Sequence, residues 1–397
     1  MTRTHRGMTL VELLVAMVIG LGVTLAVASL LVTGENHKRT TTSTNDTEQT
    51  GAYAVHALDR ALRSAGSAIA ESADLGALGC RLNAAQILPR NSFPAPFAAN
   101  FLPGTAANLR VAPLLIGANM SDNKTSDVLV VMGGSGAAGG VPRAINGPPP
   151  DAKSLVLQST VGFFPRDLVL VSELNQPGIP DCLVEGVQAL ASTSTLTLGT
   201  TNGNPYYYYT AIGGNGLGTS LATMAADVTS SYVTPLGNAK ANNVQFQLFG
   251  VGTDYTLYSY DLLQNQLLVQ GIGIDAAQPV ADGVIQMNAI YGIVKKGVQS
   301  WANPNDVVDG YDINSVMANS TTMKSIIAVR VALVVRGEYY DKKSVSPAKL
   351  TIFNGLNDLN GNSLSQLVDL TGPGQNYRYR VFEFTVPLRN MLILAGI

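Results

Sequence analysis

Few side chains of this 397-residue chain have the types and spacing that support chemistry. His5, His37 and His56 are the candidates for a general base, and Cys80 and Cys182 for a nucleophile or a metal ligand. No histidine lies at ligand spacing from a cysteine, and two of the histidines flank a long apolar run. The sequence therefore predicts no catalytic histidine set and no zinc site, and we expect no enzymatic activity, no cofactor and no metal.

Two short motifs resemble ligand-binding loops but lack part of the required pattern. Residues 134–139, GSGAAG, fit G-x-G-x-x-G, but the prolines that follow leave little room for the helix that must hold a pyrophosphate. Residues 357–363, NDLNGNS, hold Asp358, Asn360 and Gly361, but leucines occupy the first and twelfth positions of a calcium loop in that register. We favour a flexible loop for the first motif and a turn or hairpin for the second.

A stretch near the N-terminus predicts a membrane anchor. Residues 8–34 are 27 residues in which Glu12 is the sole ionisable side chain, and a helix needs about 20 apolar residues to cross a bilayer. Arg3 and Arg6 precede it, which by the positive-inside rule keeps the N-terminus cytoplasmic. The run is too long for a secretory signal, and no A-x-A-like site closes it. We predict a retained anchor with everything after residue 35 outside the cytoplasm.

Glu12 is the unusual residue of this anchor. A carboxylate inside a membrane costs about 2.5–3.5 kcal/mol on insertion scales, so such a residue is a functional hypothesis by default. Spacing alone leaves an alternative, in which Glu12 lies close enough to the cytoplasmic interface for its carboxylate to reach water.

Residues 7–13, GMTLVEL, resemble the type IV prepilin motif, in which a glycine follows a short basic leader and an acid is the fifth residue of the apolar run. In that family a membrane peptidase cuts after the glycine and methylates the new amine. The resemblance implies cleavage between Gly7 and Met8, with Met8 standing where phenylalanine is usual. Glu12 would then meet a cationic amine at the same membrane depth, which offsets the cost of either charge alone.

Composition favours a non-catalytic body outside the cytoplasm. Charged residues make up 13% of the chain, about half the usual share. Without Arg3 and Arg6 the chain has 23 basic and 27 acidic residues, so we expect no nucleic-acid partner. Cys80 and Cys182 are an even count in an oxidising compartment, which makes a disulfide the first interpretation and two buried thiols the alternative.

The hydropathy pattern predicts an α+β fold. Val55, Leu58, Leu62 and Ala65 form one apolar face of an amphipathic helix that ends near Gly66. Alternating apolar runs then predict strands at residues 126–132, 153–159, 167–172, 194–200, 244–251, 255–263, 326–340 and 379–388. We divide the chain into a leader (1–7), a transmembrane helix (8–33), its amphipathic continuation (34–66) and a mostly antiparallel β-rich head (67–397) of one or two lobes.

The order of several segments extends the resemblance along most of the chain. Residues 56–68 (HALDRALRSAGSA), 328–337 (AVRVALVVRG) and 378–390 (RYRVFEFTVPLRN) occur in the order found in PilW-type minor pilins, which resemble J-type pseudopilins of type II secretion. Segments 133–151 and 202–243 look expanded. The second contains Tyr206–Tyr209, which would form either an adhesive patch or a strand in which alternate tyrosines are buried.

The resemblance implies a non-enzymatic minor pilin that helps to initiate type IV pilus assembly in a tip or priming complex. Its partners would be other minor and major pilins, the prepilin peptidase and methylase, and the inner-membrane assembly machinery. The chain would be an inner-membrane protein before assembly and part of a surface pilus afterwards. An adhesin-like tip module on a pilin anchor and a J-type pseudopilin are the alternatives.

Overall fold

The architecture is a long N-terminal helix against which a β-rich head is folded. The computed structural model describes residues 8–84, 93–97, 109–135, 140–151, 153–174, 180–199, 230–239, 241, 243–263 and 276–395. Within these residues the elements are a 55-residue helix, α1 (Leu10–Ser64), and a head of mostly antiparallel strands with three short helices. The predicted α+β class is therefore confirmed.

Helix α1 is preceded by a capping threonine and is followed, after its C-cap, by a glycine. Thr9 is its N-cap, in an extended conformation, and Ala65 is its C-cap. Gly66 follows with φ +77°, the left-handed region that glycine adopts without strain, and its N–H donates to the Met132 carbonyl at 2.8 Å. At 1.5 Å per residue the helix is about 80 Å long, so it can cross a bilayer and continue for about 50 Å beyond.

The two halves of α1 have opposite environments. The large apolar side chains between Met8 and Val32 are all exposed, with exposed fractions of 48–76%. In the second half, Leu58 and Leu62 are completely buried, together with small residues on the same face, and Val55 lies half-buried at the edge of that face. The predicted amphipathic face is thus the one that meets the head, with its centre shifted slightly away from Val55.

The strands of the head are, in chain order, β1 (Arg81–Asn83), β2 (Leu114–Gly117), β3 (Val128–Gly134), β4 (Arg143–Gly147), β5 (Ser154–Leu157), β6 (Asp167–Glu173), β7 (Asp181–Leu190), β8 (Thr195–Leu198), β9 (Ser231–Asn238), β10 (Val244–Val251), β11 (Leu257–Asp261), β12 (Gln278–Ala281), β13 (Val284–Lys295), β14 (Val298–Ala302), β15 (Ile326–Arg336), β16 (Lys349–Ile352), β17 (Gln366–Asp369) and β18 (Tyr379–Pro387). The short helices are α2 (Ile313–Ala318), α3 (Ser320–Ser325) and α4 (Arg389–Leu394).

These strands form a closed barrel, two open sheets and a hairpin. In the barrel the order is β7-β6-β9-β4-β5-β8, and the pairing of β8 with β7 closes the ring. Strand β1 adds to β7 in parallel, with Leu82 opposite Cys182. One open sheet has the order β12-β11-β10-β3-β2, the other has β14-β13-β15-β18, and β16 pairs with β17.

Strand β15 has an almost wholly apolar sequence, in which Arg330 is the one charged residue before the terminal Arg336. Val329, Val331 and Leu333 belong to the main core, which also contains the buried face of α1. Ala332 and Val334, on the opposite face, belong to a smaller core beneath the β16–β17 hairpin. Because both faces of the strand are covered, neither face needs polar residues.

All eight predicted runs contain a strand, but the structure adds strands that the pattern did not indicate. The segments 133–151 and 202–243, which the sequence suggests are expanded loops, contain β4 and β9. Strand β4 is only five residues long, and β9 contains Pro235 and Gly237, two residue types that weaken the signature of a strand. Both belong to the barrel, whose long-range pairings a local pattern does not show.

Candidate functional site along the N-terminal helix

The first turn of α1 is closed by reciprocal hydrogen bonds between Thr9 and Glu12. The Thr9 backbone N–H donates to a Glu12 carboxylate oxygen at 2.9 Å, and the Thr9 hydroxyl donates to the same oxygen at 3.0 Å. The Glu12 N–H in turn donates to Thr9 Oγ1 at 3.3 Å. This capping box satisfies two amides that have no carbonyl partner within the helix. Glu12 therefore has a structural partner within its own chain.

The residues of the predicted processing site lie at this same end. Met8 is 67% exposed and directly precedes the capping box, and Glu12 is exposed four residues later. Gly7 lies outside the described residues. The structure thus brings Met8 and Glu12 to one exposed helix terminus, far along α1 from the buried residues that contact the head.

The apolar half of α1 contains polar side chains whose hydroxyl groups are satisfied within the helix. Thr24 Oγ1 donates to the Gly20 carbonyl at 3.0 Å, and Thr33 Oγ1 donates to the Ser29 carbonyl at 2.9 Å. Such bonds remove the need for water, which a bilayer interior does not supply. Among the described residues, α1 is the helix that is long and apolar enough to cross a membrane. The chain is compatible with a membrane-anchored protein.

A threonine-rich segment connects the exposed half of α1 to the half beneath the head. Thr41, Thr44 and Thr47 donate their hydroxyl groups to the carbonyl four residues earlier, at 3.0, 2.9 and 2.6 Å. β-branched residues have modest helix propensity, and these bonds give their hydroxyls partners without breaking the helix. The helix is therefore continuous from the apolar half to the head.

The head meets α1 through unusually close approaches. Gly51 is buried beneath the ring of Phe382 on β18, where any Cβ on residue 51 would overlap the ring. Gly337, directly after β15, lies against the Ser43 hydroxyl, and a Cβ there would overlap that oxygen. Arg380 of β18 adds an ion pair with Glu48 at 2.8 Å.

The C-terminal end of α1 is held by a helix from the far end of the chain. Asn390 of α4 donates its side-chain N–H to the Ala65 carbonyl at 3.0 Å, which satisfies one of the carbonyls left free at the helix end. Ser64 donates its hydroxyl to Gln245 of β10, and Met391 is buried beside Gly66. Two distant segments, α4 and β10, thus fix the position at which α1 ends.

A disulfide follows this point. Cys80 and Cys182 are bonded, with Cα atoms 5.6 Å apart, and both are fully buried. The bond agrees with the interpretation drawn from cysteine parity. Beside it, the Arg81 guanidinium donates to both carboxylate oxygens of Asp181, at 2.5 and 2.8 Å, and Asp181 also accepts from Asn83 at 3.2 Å. Together these contacts attach the segment after α1 to the barrel.

Two buried carboxyl groups have perturbed pKa values. Asp127 accepts N–H groups from Asn119 and Ala289 at 2.9 and 2.8 Å, and burial raises its pKa to about 7. Glu185 lies on β7 between Leu183 and Val187, which belong to the barrel's own apolar core, and its oxygens have no hydrogen-bond partner among the described residues. Burial raises the pKa of Glu185 well above its ordinary value. Asp127 joins two sheets, whereas Glu185 lies inside the barrel, where no other described acid belongs to the apolar core.

One group of carboxylates lies on the surface. The oxygens of Asp306, Asp309 and Asp358 lie within 4.8 Å of one another, close enough to share a divalent cation. Asp358 already accepts an N–H of the Asn362 side chain at 2.8 Å and the backbone N–H groups of Asn362 and Asn360 at 2.7 and 2.8 Å, and these bonds lower its pKa. The predicted turn at residues 357–363 is confirmed, because residues 357 and 363 pair across it.

The other candidate residues of the sequence are not brought together. His37 and His56 are both exposed on α1, 19 residues apart. The glycine-rich motif at 134–139 lies partly outside the described residues, and the strand β4 follows it where a dinucleotide site requires a helix. The tyrosines of 206–209 lie outside the described residues.

The sheet that packs on α1 lies in the part of the chain that matches a known protein family. Residues 249–390 match the family model described as type IV pilus-assembly protein W, PilW. Over this segment the chain is of the PilW type. The PilW segment runs from the end of β10 to the start of α4, and thus includes Phe382, Arg380 and Asn390, which contact α1. No curated protein and no solved structure matches the chain significantly. The PilW match ties the chain to type IV pilus assembly.

Sequence reasoning identified Glu12 but missed residues that act through long-range contacts. Gly51 and Phe382 are 331 residues apart, and neither is unusual in its own segment. Glu185 did carry a signal, because it is a lone acid in the apolar run CLVEGVQAL, just as Glu12 is in its own run. Because that run was not predicted to be a strand, the signal was not recognised.

Proposed function

We propose that this chain is a minor pilin of a type IV pilus and helps to initiate assembly as part of a tip or priming complex. The observation that carries the proposal is the division of α1 into an exposed apolar half and a half packed beneath a PilW-type sheet. A helix that leaves about 25 apolar residues uncovered needs lipid or other apolar helices around it. A subunit that moves from a membrane into a helical filament core is surrounded first by lipid and then by the apolar helices of other subunits.

Processing is the second part of the proposal. A prepilin peptidase cuts between Gly7 and Met8, and the new Met8 amine is methylated. The exposed position of Met8 at the start of α1 supports access by a membrane enzyme. The head then lies outside the cytoplasm, with the N-terminus of the unprocessed chain on the cytoplasmic side of the inner membrane. A Gly7→Val variant should resist cleavage in a gel-shift assay, and efficient cleavage of that variant would refute this part of the proposal.

Glu12 is proposed to receive the cationic Met8 amine of its own or a neighbouring subunit. The capping box supports this role, because it holds the carboxylate in the first turn, beside the terminus. Residues 8 and 12 are about 6 Å apart along the helix axis, so pairing within one chain and between chains are both sterically open.

Two other functions use the same anchor. An adhesin-like module would perform its function through the head, and a J-type pseudopilin would serve type II secretion. Deletion of the gene, followed by complementation, distinguishes them. We expect loss of surface pili, restored by the wild-type gene. Intact pili with lost attachment would instead indicate an adhesin, and blocked enzyme export would indicate a pseudopilin.

A further inference from the structure

A groove lies where α1 leaves its apolar half and first meets the head. It has a volume of about 930 Å³ and is bounded on one side by α1 from Leu31 to Ser43. The other side is the loop after β15, with Tyr339, Tyr340 and Lys342 among its residues. The groove therefore lies at the level where the apolar span ends, and this inference rests on the membrane anchoring proposed above.

The chemistry of the groove changes along α1. Leu31 and Val32 at one end are 69% and 63% exposed and apolar. Arg39 lies seven residues beyond Val32, about 10 Å farther along the axis, which is somewhat more than the depth of about 5–8 Å of one headgroup layer. Tyr339 and Tyr340 are 41% and 55% exposed, and tyrosine is enriched at membrane–water interfaces.

The charge of the groove is positive although the chain is acidic overall. Its lining contains four cations and two acids, whereas the whole chain has a net charge of −2. Both acids are already paired, Glu35 with Arg39 at 3.1 Å and Asp341 with Arg378 at 3.3 Å. The exposed Lys342 and Lys343 form no ion pair among the described residues. Glu338 precedes the tyrosines but does not line the groove.

We infer that this groove binds an anionic phospholipid, with its acyl chains along Leu31 and Val32 and its phosphate at Lys342 and Lys343. The groove combines apolar, aromatic and basic side chains, and these match the acyl chains, the interface and the anionic headgroup of a phospholipid. Lipid binding here holds the base of the head against the membrane surface before assembly.

Native mass spectrometry of the full chain in neutral detergent tests this inference, with phosphatidylglycerol and phosphatidylcholine as probes. We expect wild type to bind phosphatidylglycerol about tenfold more tightly than phosphatidylcholine. The Lys342→Gln/Lys343→Gln variant should lose most of this preference. The matched control is Lys295→Gln/Lys296→Gln, because these adjacent exposed lysines lie in the β13–β14 turn at the opposite end of the same sheet. The leader arginines contribute the same background binding of phosphatidylglycerol in every variant.

Equal binding of the two lipids by wild type would overturn the inference, as would a preference that survives in Lys342→Gln/Lys343→Gln. If Lys342→Gln/Lys343→Gln keeps its lipid preference but no longer co-purifies with other pilins, the inference is also overturned. The groove would then bind a neighbouring subunit. Alkaline extraction of membranes tests the anchor separately: release of the chain would refute membrane anchoring, whereas lipid preference in detergent does not depend on that result.

Discussion

Thr9 and Glu12 form a reciprocal pair at the start of α1, in which each residue accepts a hydrogen bond from the backbone N–H of the other. This pair gives Glu12 two separable properties. Its carboxylate is a hydrogen-bond acceptor that starts the helix, and it is also a negative charge at the end of an apolar span. Substitutions that remove one property at a time can therefore show which one pilus assembly requires.

We predict that assembly requires the charge. Glu12→Gln keeps the length and the acceptor of the capping box, Glu12→Ala removes both properties, and Thr9→Ala weakens the cap by about 1 kcal/mol while it leaves the charge. Both Glu12 variants should insert and be cleaved but lose co-purification with other pilins, because the Met8 amine that the proposed cleavage creates is then left unpaired at a cost of several kcal/mol. Thr9→Ala should co-purify normally. If Glu12→Gln co-purifies while the two alanine variants fail, capping is the required property.

The contact between Gly51 and Phe382 should tolerate no additional side-chain volume. Gly51→Ala places a Cβ in the space of the Phe382 ring and should lower stability by about 1–3 kcal/mol, although alanine favours a helix. Gly34→Ala is the matched control, since nothing lies within 4 Å of a Cβ there. Thermal unfolding of the full chain in detergent should show a lower Tm for the first variant alone. A Phe382→Leu second substitution should restore part of the loss.

The disulfide should contribute strongly to the stability of the head. Cys80 and Cys182 close a loop with a sequence separation of 102, and removal of a native disulfide commonly costs about 2–5 kcal/mol. Mass spectrometry without reductant should give a mass two hydrogens below the dithiol. The Cys80→Ser/Cys182→Ser variant should unfold at lower temperature. Full alkylation of the wild-type chain without reductant would contradict the assignment.

Glu185 should make the barrel less stable as pH rises. The folded state holds a proton on this carboxyl that the unfolded chain releases near pH 4.5, so stability is highest below that pH and falls toward the raised folded pKa. Glu185→Gln should remove this contribution, as measured by Tm between pH 5 and 8. Glu185→Leu should raise the free energy of unfolding at neutral pH by on the order of 1–3 kcal/mol, because no unpaired polar group is then buried. The Tm should rise by a few degrees.

Asp127 also makes the folded state less stable as the pH rises to about 7, and this contribution remains in both Glu185 variants. An unchanged pH dependence in Glu185→Gln would therefore assign the whole effect to Asp127 or to other groups.

Local sequence patterns were sufficient to predict α1, its two environments and the long strands β15 and β18. These elements are determined by periodicities that extend over ten residues or more. Glu12 was evident because a lone charge in a long apolar run has few explanations.

The barrel and the close contacts with α1 were not predictable in the same way. Strand β9 joins the barrel by pairing with β4 and β6, and its own sequence contains Pro235 and Gly237. The approach of Asp358 to Asp306 and Asp309 depends on a turn meeting a segment about 50 residues earlier. Such contacts result from tertiary folding and leave little trace in the local order of residues.

The contacts of α1 with β18 and α4 impose an order on biogenesis. In the proposed topology the helix enters the membrane first, but Phe382, Arg380 and Asn390 are synthesised more than 300 residues after the segment that they cover. Until those residues have been exported, the apolar face around Leu58 and Leu62 lacks part of its cover, and the carbonyl of Ala65 lacks its cap. A chain released early by the ribosome or clipped by a protease before Tyr379 would retain an intact anchor and leader. It would also expose the apolar face of α1, and we expect proteases that remove misfolded chains to degrade it.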